Sequence, residues 1–226
     1  MKKISTKNWE RYKESAQGKA AIAEFARLYN ENVPVEDILQ LCKKYDPQYF
    51  TNRSEREETV YCLGALNDFD SIIGDAKEVY KFEDDEDTEF FYVEEVLHGV
   101  IEPSLINEEG LAPQQVYKSL LSANMFISTM LYCYMPERYL PNLWVMQYKY
   151  FRAIAMKYEI ELPKEPHRAE YLYRNTYYLA VNNAMFNFCN ANGITEPAEI
   201  CAFFYDYQLE LIKEELEEEC MPASRY

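Results

Sequence analysis

The chain has 226 residues, 48% of them hydrophobic, and carries 23 Lys/Arg against 39 Asp/Glu for a net charge of −16. That length can bury one large core or two small ones. Six glycines and ten prolines leave too little turn chemistry for a β-sandwich or barrel. The charge is uneven: residues 61–112 hold 2 Lys/Arg against 15 Asp/Glu, while residues 1–60 are nearly balanced. Such a segment repels nucleic acid and anionic membranes. It suits a basic partner, bound cations or plain solvation.

In chain order, the N-terminus MKKISTKNWERYK is basic but has no apolar stretch, so it does not read as a signal peptide. Residues 7–30 predict one or two helices, with Ile22, Phe25, Ala26 and Tyr29 on one stripe. NVPVEDILQLCKKY predicts the next. Its Pro34 suits a first turn, Glu36 and Asp37 suit the positive end of the dipole, and Lys43 and Lys44 the negative end. Ser54-x-x-Glu57 is a capping box for a helix reaching about residue 67. The acidic run Glu83–Glu89 comes next, broken only by Thr88, which caps a helix over 89–100 that stops before Pro103.

The stretch 104–112, SLINEEGLA, is the best boundary. Past it, Pro113 opens a long helix to about Tyr134 with the stripe Val116, Leu120, Ala123, Ile127, Leu131, Tyr134. Met125, Phe126 and Met130 lie off that stripe, which predicts a central helix. The link MPERYLP leads to a helix over about 142–158, closed by IELP. Residues 167–190 repeat at seven: Leu172, Leu179, Phe186, then Tyr171, Tyr178, Met185, then Asn175, Asn182, Cys189. Asn192-Gly193 ends this helix, and Thr195 with Pro197 opens the last, which runs through LIKEELEEEC. Residues 46–51 and 158–162 are the places for short extended pieces. The whole reads as all-α, a bundle of about eight helices with an aromatic-rich core. It forms a single domain over 1–226, with a division into 1–103 and 113–226 as the alternative.

The candidate chemistry is thin. Cys42, Cys62, Cys133, Cys189, Cys201 and Cys220 form no CxxC and mostly sit beside apolar residues, so they read as reduced core thiols of a cytoplasmic protein. The most apolar stretch, 119–134, is too short for a membrane span and contains Ser and Asn. Glu95-x-x-His98 is half of a carboxylate-bridged metal site. The other histidine, His167, comes after Lys164-Glu165-Pro166 and has no carboxylate three residues before it. Within the acidic run, Asp85, Asp87 and Glu89 alternate as in a calcium loop. Phe90 and Val96 then stand where that loop needs glycine and glutamate. No cofactor or metal is expected. Nucleophile-elbow, zinc-protease, phosphate-loop and dinucleotide motifs are missing, and a catalytic reading would need carboxylates gathered around His98 or His167.

FCNANGITEPAEICAFFYDY has the spacing of a DNA-reading helix-turn-helix. Its second helix would offer phosphates Glu196, Glu199, Asp206 and Glu210 before any lysine, at Lys213, so it reads as a structural hairpin. The 21 Tyr and 12 Phe predict inter-helix packing with some hydroxyls left for a partner. Asn175, Asn182 and Asn183, on a buried face, would act as hydrogen-bonded register devices.

Two stretches carry a family likeness: Met135, Pro136, Glu137, Tyr139 and Pro141 in the link, and Glu199, Ile200, Cys201, Ala202, Phe203, Tyr205 and Asp206 in the last helix. With their flanks, about a third of the chain, they resemble helical regions of predicted prokaryotic restriction and phage-defence proteins. The resemblance implies an accessory helical module beside an effector or nucleic-acid-recognising domain, and brings no functional residue with it. The reading is a non-catalytic protein-interaction module using acidic and Tyr-bearing helix surfaces. The alternative is an acidic inhibitor or immunity protein that imitates nucleic acid or covers a basic active site. In both, Asp84, Asp85, Glu86, Asp87 and Glu89 contact a protein partner. Direct nucleic-acid or membrane binding is not expected, and oligomerisation stays open.

Overall fold

The computed structural model describes residues 2–29, 34–45, 125, 128–129, 131–133, 135–143, 148–165 and 171–220. These residues are mainly helical and contain no strand, so the fold class is all-α.

The first stretch is two helices, α1 (Thr6–Glu14) and α2 (Ala16–Ala26), because Ser15 breaks and recaps it. The Ser15 hydroxyl donates to the Tyr12 carbonyl at 2.6 Å and accepts from the Gly18 N–H at 3.0 Å. The helices then pack so closely that a Cβ on Gly18 would lie 2.1 Å from the Tyr12 carbonyl oxygen. That contact fixes which side of α2 faces inward. The buried face runs Gly18, Ala21, Phe25, Leu28. Of the expected stripe, Phe25 is in the core, Ile22 is half-buried, and Ala26 and Tyr29 are exposed.

Helix α3 (Val35–Tyr45) buries Ile38, Leu41 and Cys42 at helical spacing, and Arg27–Asp37 and Lys44–Glu24 tie it to α2. The described residues of the stretch read as a long helix are helical and lie in the core, as its all-round apolarity predicts. Met125, Ser128, Thr129, Leu131, Tyr132 and Cys133 are all buried. The next helix, α4, is Tyr148–Tyr158. Residues 139–143, where the hydrophobic pattern starts a helix at 142, are instead non-helical and mostly buried. After α4, Glu159 turns through a positive φ of 55° and residues 160–165 have no regular secondary structure.

Helix α5 (Tyr171–Ala191) carries the seven-residue seam, with Tyr178, Asn182, Met185 and Cys189 buried, while Asn183 is exposed. Its end is a Schellman cap. Gly193, at φ +78°, donates to the Asn190 carbonyl, and the Ile194 N–H donates to the Cys189 carbonyl at 2.9 Å. The last helix is not continuous. After α6 (Pro197–Ala202) comes a π turn, Phe203–Tyr207, and then α7 (Gln208–Cys220). Its mark is the Gln208 N–H donating to the Phe203 carbonyl, five residues back.

Both ends of the chain build one core. Trp9 meets Phe203 edge-on at 5.4 Å, Phe25 meets Tyr132 and Tyr205, and Phe151 meets Phe204. Each such ring removed from water contributes roughly 1.5–3 kcal/mol. The Lys2 N–H donates to the Tyr158 carbonyl and the Ile4 N–H to Asn192 Oδ1, so the N-terminal segment lies against the ends of α4 and α5. The described residues hold 16 Lys/Arg and 18 Asp/Glu; 14 of the 16 excess negative charges therefore lie elsewhere in the chain.

Candidate functional site

The residues assigned to partner binding from sequence, Asp84, Asp85, Glu86, Asp87 and Glu89, lie outside the described residues. So do Glu95, His98, His167, Cys62, the Ser54–Glu57 capping box and the 104–112 boundary. What the structure does bring together is the pair of segments singled out by resemblance. The Tyr205 hydroxyl, in the π turn, donates to the Pro141 carbonyl in the link.

A buried loop must satisfy its backbone polar groups without a helix ladder, and here side chains supply the partners. Asn182 Oδ1 accepts from the Leu140 N–H at 2.6 Å, while its Nδ2 donates to the Arg138 carbonyl at 2.6 Å. The Tyr178 hydroxyl donates to the Leu140 carbonyl at 2.7 Å, and the Asn142 N–H donates to Ser128 Oγ at 2.8 Å. Two of these residues, Tyr178 and Asn182, stand one turn apart on α5, which places both over the link. Asn182 is thus the hydrogen-bonded register device expected of it. The turn Pro136-Glu137-Arg138, with Glu137 and Arg138 exposed, is held at the tip of this clamped loop.

On the other side of the π turn sits a partly exposed polar cluster. Asp206 Oδ2 accepts from the Tyr12 hydroxyl at 2.5 Å and from Gln17 Nε2 at 2.9 Å. Its floor is aromatic: Tyr207 lies 4.8 Å from Tyr12 and 5.7 Å from Trp9. Lys13 bridges Glu10 at 3.2 Å and Glu199 at 3.5 Å, with its ammonium 5.8 Å from the Trp9 ring. Tyr205 and Asp206 are neighbours within the π turn and point to different sides of it, Tyr205 to the link and Asp206 to α1 and α2. Nothing in the amino-acid pattern CAFFYDY announces the π turn, so sequence reasoning missed it.

Chemically the cluster is a set of side-chain contacts between α1, α2 and the π turn, with its carboxylate already occupied by two donors. Burial pushes the Cys133 thiol up to about 12 and raises Cys189 and Cys201, so at neutral pH they are thiols and poor nucleophiles. Among the described residues no group of three or more His, Cys, Asp or Glu could hold a metal ion, and no helix is long and apolar enough to cross a membrane. No protein-family model, curated protein or solved structure matches the chain.

Proposed function

We propose that the chain is a non-catalytic protein-interaction module whose acidic middle section engages a basic protein. The observation that carries this is the division of charge. A packed aromatic body with 16 Lys/Arg and 18 Asp/Glu belongs to the same chain as residues 61–112, with 2 against 15. Folding of the body does not call for such a concentration of like charge, whereas steering and holding a basic surface does. The defence-system setting adds to this from the resemblance at 135–141 and 199–206.

A second reading, imitation of nucleic acid by an inhibitor, is favoured by one feature. Residues 83–89 place six acids in seven positions. An extended chain advances about 3.3 Å per residue, close to the phosphate spacing of about 3.4 Å along one DNA strand.

The test is the variant Asp84→Asn, Asp85→Asn, Glu86→Gln, Asp87→Asn. Affinity for a basic protein captured by the wild type should fall by orders of magnitude at about 0.1 M salt, and the wild-type affinity should itself fall steeply with added salt. Unchanged binding by the variant rejects both readings. Competition by duplex DNA for the same partner surface selects the second.

A further inference from the structure

We infer that an internal water molecule is bound beside Gln208, held by its side-chain amide and the Tyr158 hydroxyl, where the π turn meets the end of α4. Of the buried polar side chains Ser128, Thr129, Asn182 and Gln208, the first three each donate to a backbone carbonyl. Ser128 Oγ and Thr129 Oγ1 reach Met125 at 3.0 and 2.8 Å, and Asn182 Nδ2 reaches Arg138 at 2.6 Å. Gln208 is the exception. It is 0% exposed, and among the described residues neither its Oε1 nor its Nε2 has a hydrogen-bond partner. A buried amide left in that state costs the full desolvation of the group.

The backbone holds this side chain inward. The Gln208 N–H is committed to the Phe203 carbonyl, and Leu209 and Ile212 are buried on the same helix. Nearby, the Tyr158 ring lies 5.2 Å from Phe188 and 5.9 Å from Phe203. The two phenyl rings offer the amide neither donor nor acceptor. The polar neighbour is the Tyr158 hydroxyl. Burial is the main cause of its raised pKa, followed by the Tyr207 hydroxyl, the Gln208 amide, which favours the phenolate, and the Glu215 carboxylate. Gln208 and Tyr158 are thus close neighbours that are not in hydrogen-bond geometry.

A water between them serves both. The amide brings an acceptor oxygen and two N–H donors, and the phenol a donor and an acceptor. That supplies the roughly three hydrogen bonds an internal water makes. Tyr158 and Tyr207 are half-buried, and Glu215, paired with Lys157 at 2.6 Å, is exposed. The site therefore lies close beneath the surface, where solvent can reach it. The closed surface over both amide atoms selects water over any larger ligand.

A crystal structure of the full chain should show an ordered water about 2.5–3.2 Å from a Gln208 amide atom and from the Tyr158 hydroxyl oxygen. A direct hydrogen bond between Gln208 and Tyr158, or no water at that position, overturns the inference. Stability gives a second readout, in solution. Gln208→Met keeps the length of the side chain and removes both polar atoms, so the water's hydrogen bonds are lost without replacement. Its melting temperature should fall by about 2–4 °C, with the helical circular dichroism of the wild type retained. An unchanged or raised melting temperature means that the amide holds no water, and overturns the inference too. Neither measurement involves the acidic section, so the outcome is independent of the proposed function.

Discussion

The Tyr205 hydroxyl donates to the Pro141 carbonyl across 64 residues of sequence, joining the π turn to the buried link. Both residues are buried, so neither partner has water to fall back on. The bond joins two departures from regular helix and gives each a reason for its geometry.

Tyr205→Phe keeps the ring and removes the donor. The cost should be about 0.5–1.5 kcal/mol, the net worth of one hydrogen bond, because the Pro141 carbonyl still accepts from the Leu143 N–H at 3.1 Å. For a chain of this size, that corresponds to a fall in melting temperature of roughly 2–4 °C per kcal/mol. A melting temperature within error of the wild type would show that the Pro141 carbonyl does not depend on this hydroxyl.

Asn182 distinguishes a polar device from a space filler. Asn182→Ala should lose about 1–3 kcal/mol at any pH. Asn182→Asp keeps the acceptor for the Leu140 N–H but turns a carboxylate oxygen toward the Arg138 carbonyl. Burial and that carbonyl disfavour the charged form, so the folded pKa of the new carboxyl rises above its unfolded value of about 3.9. The Asp variant should therefore approach the wild type below that pH and lose stability as pH rises toward neutrality. Denaturant melts at acid and neutral pH read this directly, and a pH-independent loss refutes it.

Gly18→Ala sets helix propensity against packing. Alanine is better than glycine by about 1 kcal/mol in a helix interior. The new methyl would nonetheless meet the Tyr12 carbonyl oxygen at 2.1 Å and its carbon at 2.8 Å, backbone atoms that cannot rotate away. The variant should be destabilised, by an overpacking cost of typically 1–3 kcal/mol beyond the propensity gain. A stabilised variant would mean that α1 and α2 separate at little cost.

Alkaline pH should unfold the protein. Desolvation by burial holds the Tyr12, Tyr45, Tyr132, Tyr178 and Tyr205 hydroxyls above their ordinary value, and pushes Tyr158 up to about 12. A folded pKa above the unfolded value of about 10 contributes stability that is complete below pH 10. That contribution is lost as pH rises through the folded values. Phenolate absorbance should show some tyrosines titrating near pH 10 and the buried group in one cooperative step with loss of helical circular dichroism. A single smooth titration with the helix intact would contradict this.

Much of the local structure was legible in the residues. The Asn192-Gly193 pair stops a helix through its own chemistry, and the seven-residue seam through Tyr178, Asn182 and Met185 faces the core because helical period places it there. The failures have a common cause. The start of α4, the buried face of α2 and the π turn all depend on partners distant in sequence: Asn182 and Tyr178 capturing the backbone of the link, the Tyr12 carbonyl pressed on Gly18, and Tyr12 and Gln17 drawing Asp206 toward them.

By itself, then, the sequence determined the helical class, the helix ends at Tyr158, Asn192-Gly193 and Pro197, the inward placement of Cys42, Cys133, Cys189 and Cys201, and the concentration of acid at 61–112. Each of these comes from periodicity, capping chemistry or composition within a short window. Only the tertiary structure decided which helix face lies inward, where a loop replaces the start of a helix, and how Asp206 and Tyr205 come to face opposite partners. Those outcomes turn on desolvating polar groups among specific distant neighbours. A backbone carbonyl in the core takes whatever donor the packing delivers, and no local pattern records which one that will be.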